Sequence, residues 1–207
     1  MLLSDKHNFI FIHIYKNAGT SITSALRPYA CKMWHYYLHR IFKKGFNLEF
    51  FNPMPYPVHI TTPKLIEMIG YNVFKSYYSF GVVRNPWDWN VSMYKYMLKN
   101  TKHFQHEWVK GFRDFDEYIR VRCNGEMFQQ KNFLFSNDGE QLVDYILRFE
   151  NLDDDFQHIC RHLEIEAKLP HLNISNKTPY REYYTDETRD AVSKTFKEDI
   201  ELFGYEF

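Results

Sequence analysis

Long apolar runs are missing from the 207-residue chain. No stretch approaches the roughly 18 residues a bilayer-crossing helix needs, so a membrane span is excluded. The opening MLLSDKHNF has no apolar signal-peptide core. The expected location is therefore cytoplasmic, and the Asn-x-Ser/Thr triplets at Asn90, Asn173 and Asn176 read as chance matches. Cysteine is scarce: Cys31, Cys123 and Cys160 are odd in number and widely spaced, which predicts reduced thiols rather than a disulfide framework. Net charge is absent too, with 26 Lys and Arg against 26 Asp and Glu. No global field draws the protein to nucleic acid or to an anionic membrane, and any anion site must be local. Internal repeats and low-complexity tracts are not visible.

What the chain does have is apolar and aromatic mass, 44% and 19% of residues, ample for a packed core. Its length fits a single domain, 1–207. Residues 8–15 are almost continuously apolar, the pattern of a parallel strand buried on both faces. Residues 21–30 read as the following helix, ended or bent by Pro28. A helix is expected from Thr62 to Gly70, with a hydroxyl cap at Thr62 and Pro63 at its first helical position. SYYSFGVVR, Ser76 to Arg84, reads as a second strand. A helix capped by Asn85 follows, with Pro86 at its first position and an acid in its first turn. Further helices are expected at 114–123 and 152–163, with a third strand at 144–149 between them. The C-terminal segment is amphipathic and opens on a capping-box-like Thr185 to Thr188. Strands alternating with helices predict an α/β fold, three layers (α/β/α) around a central parallel sheet.

Two stretches carry anion-binding chemistry. In FIFIHIYKNAGTSI, Phe9 to Ile22, an apolar strand stops in a lysine, a glycine and two hydroxyls. Gly19 would permit a sharp turn and close backbone approach. The amides of Ala18 to Ser21 then lie at a helix N-terminus, where an anion is favoured. Lys16 adds formal charge, and Thr20 and Ser21 add hydroxyls. The alternative is an ordinary strand–turn–helix with a solvated lysine. The Walker A pattern Gly-x-x-x-x-Gly-Lys-Ser/Thr is missing, as is an obvious apolar strand ending in Asp to hold magnesium. In FGVVRNPWDWNVSMY, Arg84 ends a strand and Ser92 lies two turns into the next helix. Arg84 can fork onto a phosphate and Ser92 can add a hydrogen bond. The alternative is an arginine paired with a carboxylate and a serine facing solvent. Together the two stretches suit a ligand with two separated anionic ends, bound at the C-terminal edge of the sheet.

The pair of stretches resembles the two cofactor motifs of sulfotransferases that use 3'-phosphoadenosine 5'-phosphosulfate (PAPS). The closer resemblance is to the carbohydrate (Golgi-type) branch and its soluble bacterial relatives, whose pattern runs roughly His-x-Pro-Lys-x-x-Gly-Thr-Ser and then Val-Arg-Asn-Pro with a serine eight residues after the arginine. LRFENL, PHLN and EDIELFGYEF are similar as well, so the likeness covers nearly the whole chain. Tyr15 departs from the pattern, which has proline there. The resemblance implies a P-loop NTPase-like sulfotransferase fold and sulfuryl transfer from PAPS to a hydroxyl, expected on a carbohydrate or glycoconjugate. It implies that Lys16 contacts the phosphosulfate bridge, that Asn17, Ala18, Gly19, Thr20 and Ser21 cradle the 5'-phosphate, and that Arg84 and Ser92 hold the 3'-phosphate, without a metal. Two other readings stand beside it: a non-catalytic nucleotide-binding module, and a P-loop kinase.

An acceptor hydroxyl gains nucleophilicity by losing its proton. His59, after the proline-rich segment 45–59 and before the expected helix at Thr62, is the candidate base, an imidazole being suited to the role. The related enzymes carry a histidine between the two motifs, which His59 resembles. The alternative is a simple loop histidine. His13 reads as a core residue, Glu67 as too deep in its helix, and His171 takes no role. The i,i+4 pairs His35/His39 and His158/His162 lack a third ligand for zinc. The segment 173–184 is a candidate nucleotide cover, with Arg181 an added phosphate contact, or else a plain surface loop. Acceptor contacts are expected in 32–58 and 100–113, where Trp34, Tyr36, Arg40, Lys43, Lys44, Trp108 and Lys110 are candidates. The oligomeric state is left open.

Overall fold

The computed structural model describes residues 1–30, 57–125, 127–170 and 178–207. The expected proline-rich irregular segment up to residue 56, the aromatic and basic candidates between Trp34 and Lys44, the His35/His39 pair, Cys31 and His171 all lie outside the described residues. The chain forms two compact units, Met1–Val82 with Phe133–Leu172 and Val83–Asn132 with Asn173–Phe207.

Four strands, β1 (Leu2–Ser4), β2 (Phe9–Ile12), β3 (Tyr78–Val83) and β4 (Tyr145–Arg148), form one sheet in the order β1-β2-β3-β4. The helices, in chain order, are α1 (Gly19–Leu26), α2 (Thr62–Ile69), α3 (Tyr71–Lys75), α4 (Pro86–Lys99), α5 (His106–Lys110), α6 (Phe115–Arg122), α7 (Lys131–Leu134), α8 (Leu152–His162), α9 (Asp186–Thr195) and α10 (Lys197–Phe203). The fold is mixed α/β, with a mostly parallel sheet and flanking helices, consistent with the sulfotransferase type. Among the described residues no helix is long and apolar enough to cross a membrane.

In the first unit, β2 is buried along its whole length, as its unbroken apolar run requires. It pairs in parallel with β3, Phe9 opposite Tyr78 and Ile12 opposite Gly81. The edge strand β1 is antiparallel to β2; three residues are too few to show a periodicity in the sequence. Side chains alternate across the sheet. Phe9, Phe11, Phe80, Val82 and Leu147 meet Ile22 and Leu26 of α1 and Phe156 and Ile159 of α8 in one apolar cluster. A Cβ at Gly81 would come within 2.5 Å of Leu134 Cδ2, so the leucine side chain would have to shift. The expected Pro28 bend is a short 3-10 turn, Arg27–Tyr29, after α1. The cap of α2 is Thr61 rather than Thr62, its hydroxyl accepting from the Lys64 amide at 3.4 Å.

In the second unit Asn85 caps α4, accepting from the amides of Trp87 at 3.0 Å and Asp88 at 3.4 Å. Asp114 caps α6 in the same way. Thr185 and Thr188 form the expected capping box of α9. The C-terminal amphipathic segment is two helices, separated at Phe196, whose buried ring meets Trp89 edge-on at 5.9 Å.

Candidate active site

Parallel pairing brings the C-terminal ends of β2 and β3 to one edge of the sheet. The chain leaves β2 through residues 13–18, and two of these, Lys16 (φ 64°) and Ala18 (φ 54°), adopt the left-handed conformation. Such residues turn successive amides inward, a geometry that makes anion-binding concavities. Ala18 is also the N-cap of α1, a position where a hydroxyl or carboxamide normally serves the first-turn amides. Among the described residues no side chain caps α1, and its first turn holds no acid. The amide end of this eight-residue helix thus has no side-chain cap among the described residues. Thr20 is exposed there, and Lys16 and Ser21 are half-buried.

Asn17 is fully buried, and its Nδ2 donates to the Val82 carbonyl at the end of β3, 2.8 Å away. Its carboxamide thus ties the loop to the sheet. Gly19 is needed for a reason the sequence does not show. Its own φ is not positive. Instead the His13 ring occupies its side-chain space, and a Cβ there would lie 1.7 Å from Nε2 and 1.9 Å from Cδ2.

The structure also brings His59 to this loop. Its Nδ1 is 2.9 Å from the His13 carbonyl, and its ring meets that of His13 edge-on at 4.7 Å and that of Tyr15 at 5.8 Å. A carbonyl can only accept, so Nδ1 carries the hydrogen. In the neutral ring Nε2 is then the nitrogen with a free lone pair. His13, read from the sequence as a core residue, is half-buried at the mouth of the loop. Its pKa is pushed down to about 3, chiefly by burial and then by the Met1 α-ammonium and His59. This has a sign for stability. The unfolded ring binds a proton near pH 6.5 and the folded one does not, so His13 should lower stability progressively as pH falls from about 6.5 toward 3. Replacing His13 with Phe should flatten that part of the melting temperature–pH curve.

In the second unit Arg84 is 4% exposed. Its Nε and Nη2 both lie 2.7 Å from Asp88 Oδ2, the carboxylate pairing that the sequence left open. Half-buried Ser92 sits one turn beyond Asp88 on the same face of α4. The Arg84 backbone is clamped by the buried Gln130 carboxamide, which accepts from its N–H at 2.9 Å and donates to its carbonyl at 2.8 Å. Gln130 is fixed in turn by Asp199, which accepts from the amides of Gln130 at 2.8 Å and Lys131 at 2.9 Å. Burial pushes the Asp199 carboxyl up to about 6 against these hydrogen bonds. Sequence reasoning missed both supports, because they lie 46 and 69 positions from their partners and carry no local signature.

Other sequence candidates are otherwise engaged. His158 stacks on Tyr145 and His162 on Tyr78, and Arg181 donates to the Phe207 carbonyl at 2.8 Å. Among the described residues no group of three or more His, Cys, Asp or Glu side chains is placed to hold a metal. A concavity of about 850 Å³ in the second unit is lined by Arg120, Lys131, Lys194, Glu187 and Glu198. Arg120 pairs there with Glu187 and Lys131 with Glu198, so most of its positive charge is already answered.

A protein-family model described as the sulfotransferase family matches residues 1–206. The comparison with curated proteins returns no match.

Proposed function

The chain belongs to the sulfotransferase family, and on that premise we propose that it transfers a sulfuryl group from PAPS to a hydroxyl of a carbohydrate or glycoconjugate. The observation that carries this reading is the uncapped N-terminus of α1, preceded by left-handed Lys16 and Ala18. It suits a phosphate held by amides and one lysine. The resemblance of the two motifs to the carbohydrate branch supports the choice of acceptor. The free thiols of Cys123 and Cys160 support a reducing, cytoplasmic setting.

When bound, PAPS supplies the activated sulfuryl group and a phosphate leaving group. On this reading the amides of Asn17 to Ser21 hold the 5'-phosphate, with the Thr20 and Ser21 hydroxyls beside them. Lys16 meets the negative charge that develops on the leaving side, where a fixed cation lowers the barrier. Arg84, already oriented by Asp88 and clamped by Gln130, offers its guanidinium to the 3'-phosphate together with Ser92. His59 receives the acceptor's proton at Nε2, its Nδ1–H being committed to the His13 carbonyl.

Calorimetric titration tests the nucleotide class. Adenosine 3',5'-bisphosphate should bind at least about 10-fold more tightly than ADP, a difference of about 1.4 kcal/mol. Replacing Arg84 with Ala should erase most of that preference and leave ADP affinity nearly unchanged. Equal affinities, or ATP turnover that requires magnesium, would favour a P-loop kinase. Selective binding without sulfuryl transfer to any hydroxyl acceptor would favour a non-catalytic module.

A further inference from the structure

A line of rings runs out of the core of the first unit. Phe80 stacks on Phe11 at 5.5 Å and Phe11 on His13 at 5.7 Å. His13 meets His59 edge-on at 4.7 Å, His59 meets Tyr15 at 5.8 Å, and Tyr15 meets Phe133 at 5.8 Å. Both ends of this line are buried, Phe80 fully and Phe133 nearly so. His13 is its pivot, because it also fills the side-chain space of Gly19, the first residue of α1. One side chain therefore touches the helix that the proposed function assigns to the phosphate and the imidazole it assigns to the proton. The His13 backbone carbonyl adds the hydrogen bond that sets the His59 tautomer.

We infer that His13 is a positioning residue, an uncharged wedge that keeps the amide end of α1 and the His59 ring in register with each other. The inference rests on the roles given above to the loop and to His59. It assigns the His13 ring no proton transfer and no contact with substrate. Shape and neutrality are what the position demands. A cation there would stand against the amide end of a helix, beside His59 and within the field of the Met1 α-amino group. That amino group is half-buried and hydrogen-bonded to the Val58 carbonyl, and its pKa is lowered to about 5 by desolvation. The charged groups acting on the His13 ring include this amine and His59.

Gly19 makes the wedge testable. Gly19→Ala, His13→Ala and the double variant form a cycle in which the two changes should not add. With His13 present, the new Cβ has no room, and Gly19→Ala should lower both the melting temperature and the affinity for adenosine 3',5'-bisphosphate. With His13→Ala the room exists, and adding Gly19→Ala should cost little by either measure. Misplacement of the reacting groups should lower kcat of His13→Ala about 10- to 100-fold and displace the acid limb of its pH–rate profile. His13→Phe keeps shape and neutrality, so it should retain kcat within about threefold and keep the acid limb in place, on the wedge reading of an uncharged positioning group.

Equal cost of Gly19→Ala in both backgrounds would overturn the wedge. So would a folded His13→Ala with unchanged kcat and acid limb, which would leave His13 as packing alone. Full turnover by His59→Ala would instead remove the base assignment, and failure of the wild type to bind adenosine 3',5'-bisphosphate would remove the nucleotide assignment. Neither would touch the melting-temperature cycle, which reads the contact between His13 and residue 19 without any ligand.

Discussion

Turnover of the Lys16→Ala variant should fall about 100- to 1000-fold, the scale of losing one preorganised donor to a developing anion. The lysine is held in place by the backbone around it. Lys16 itself is left-handed, the next residue is anchored to β3 through the Asn17 bond to Val82, and the following helix begins two residues later. The backbone thus fixes the point from which the lysine side chain reaches out. The effect should appear in kcat, measured as release of adenosine 3',5'-bisphosphate from PAPS with an oligosaccharide acceptor. Affinity for adenosine 3',5'-bisphosphate should change much less, because the loop amides remain. Near-normal kcat in a folded Lys16→Ala variant would take the lysine out of the chemistry.

Removing His59 should cost a comparable or larger amount, about 100- to 10,000-fold in kcat, as for other positioned general bases. Two replacements divide the explanation. His59→Ala removes the base and the hydrogen bond to the His13 carbonyl together. His59→Asn can still donate to that carbonyl but has no basic nitrogen. If proton transfer is the role, both variants should lose turnover alike, and the acid limb of the pH–rate profile should disappear from whatever activity remains. Retention of most turnover by His59→Asn would show that only the anchoring of the loop mattered.

The sequence made some parts of this molecule legible for local reasons. A strand buried on both faces must be apolar throughout, and Phe9–Ile12 is. Helix starts announce themselves through capping chemistry, and Asn85 with Pro86 and Thr185 with Thr188 stand where that chemistry requires. The cap of α2 is off by one residue because two adjacent threonines offer the same hydroxyl. Features that depend on distant partners left no such trace. Gln130 and Asp199 hold Arg84 from far along the chain. Gly19 looks like a turn glycine until the His13 ring is seen in its place. The choice between phosphate and carboxylate for Arg84 was open on residue type alone, and Asp88 answers one side of it. A bound phosphate would share the guanidinium with that carboxylate or displace it.

The left-handed pair at Lys16 and Ala18 has a bearing on how such loops diverge. A conformation that most residues avoid costs about 1 kcal/mol or more at each position, and glycine would remove that cost. Alanine at position 18 takes this conformation against its own preference, so the surrounding fold and not the residue holds the curve. Glycine or asparagine at position 18 should be tolerated and should ease the strain, whereas valine or isoleucine should be refused. What position 18 contributes is a curve of the main chain and not a side chain.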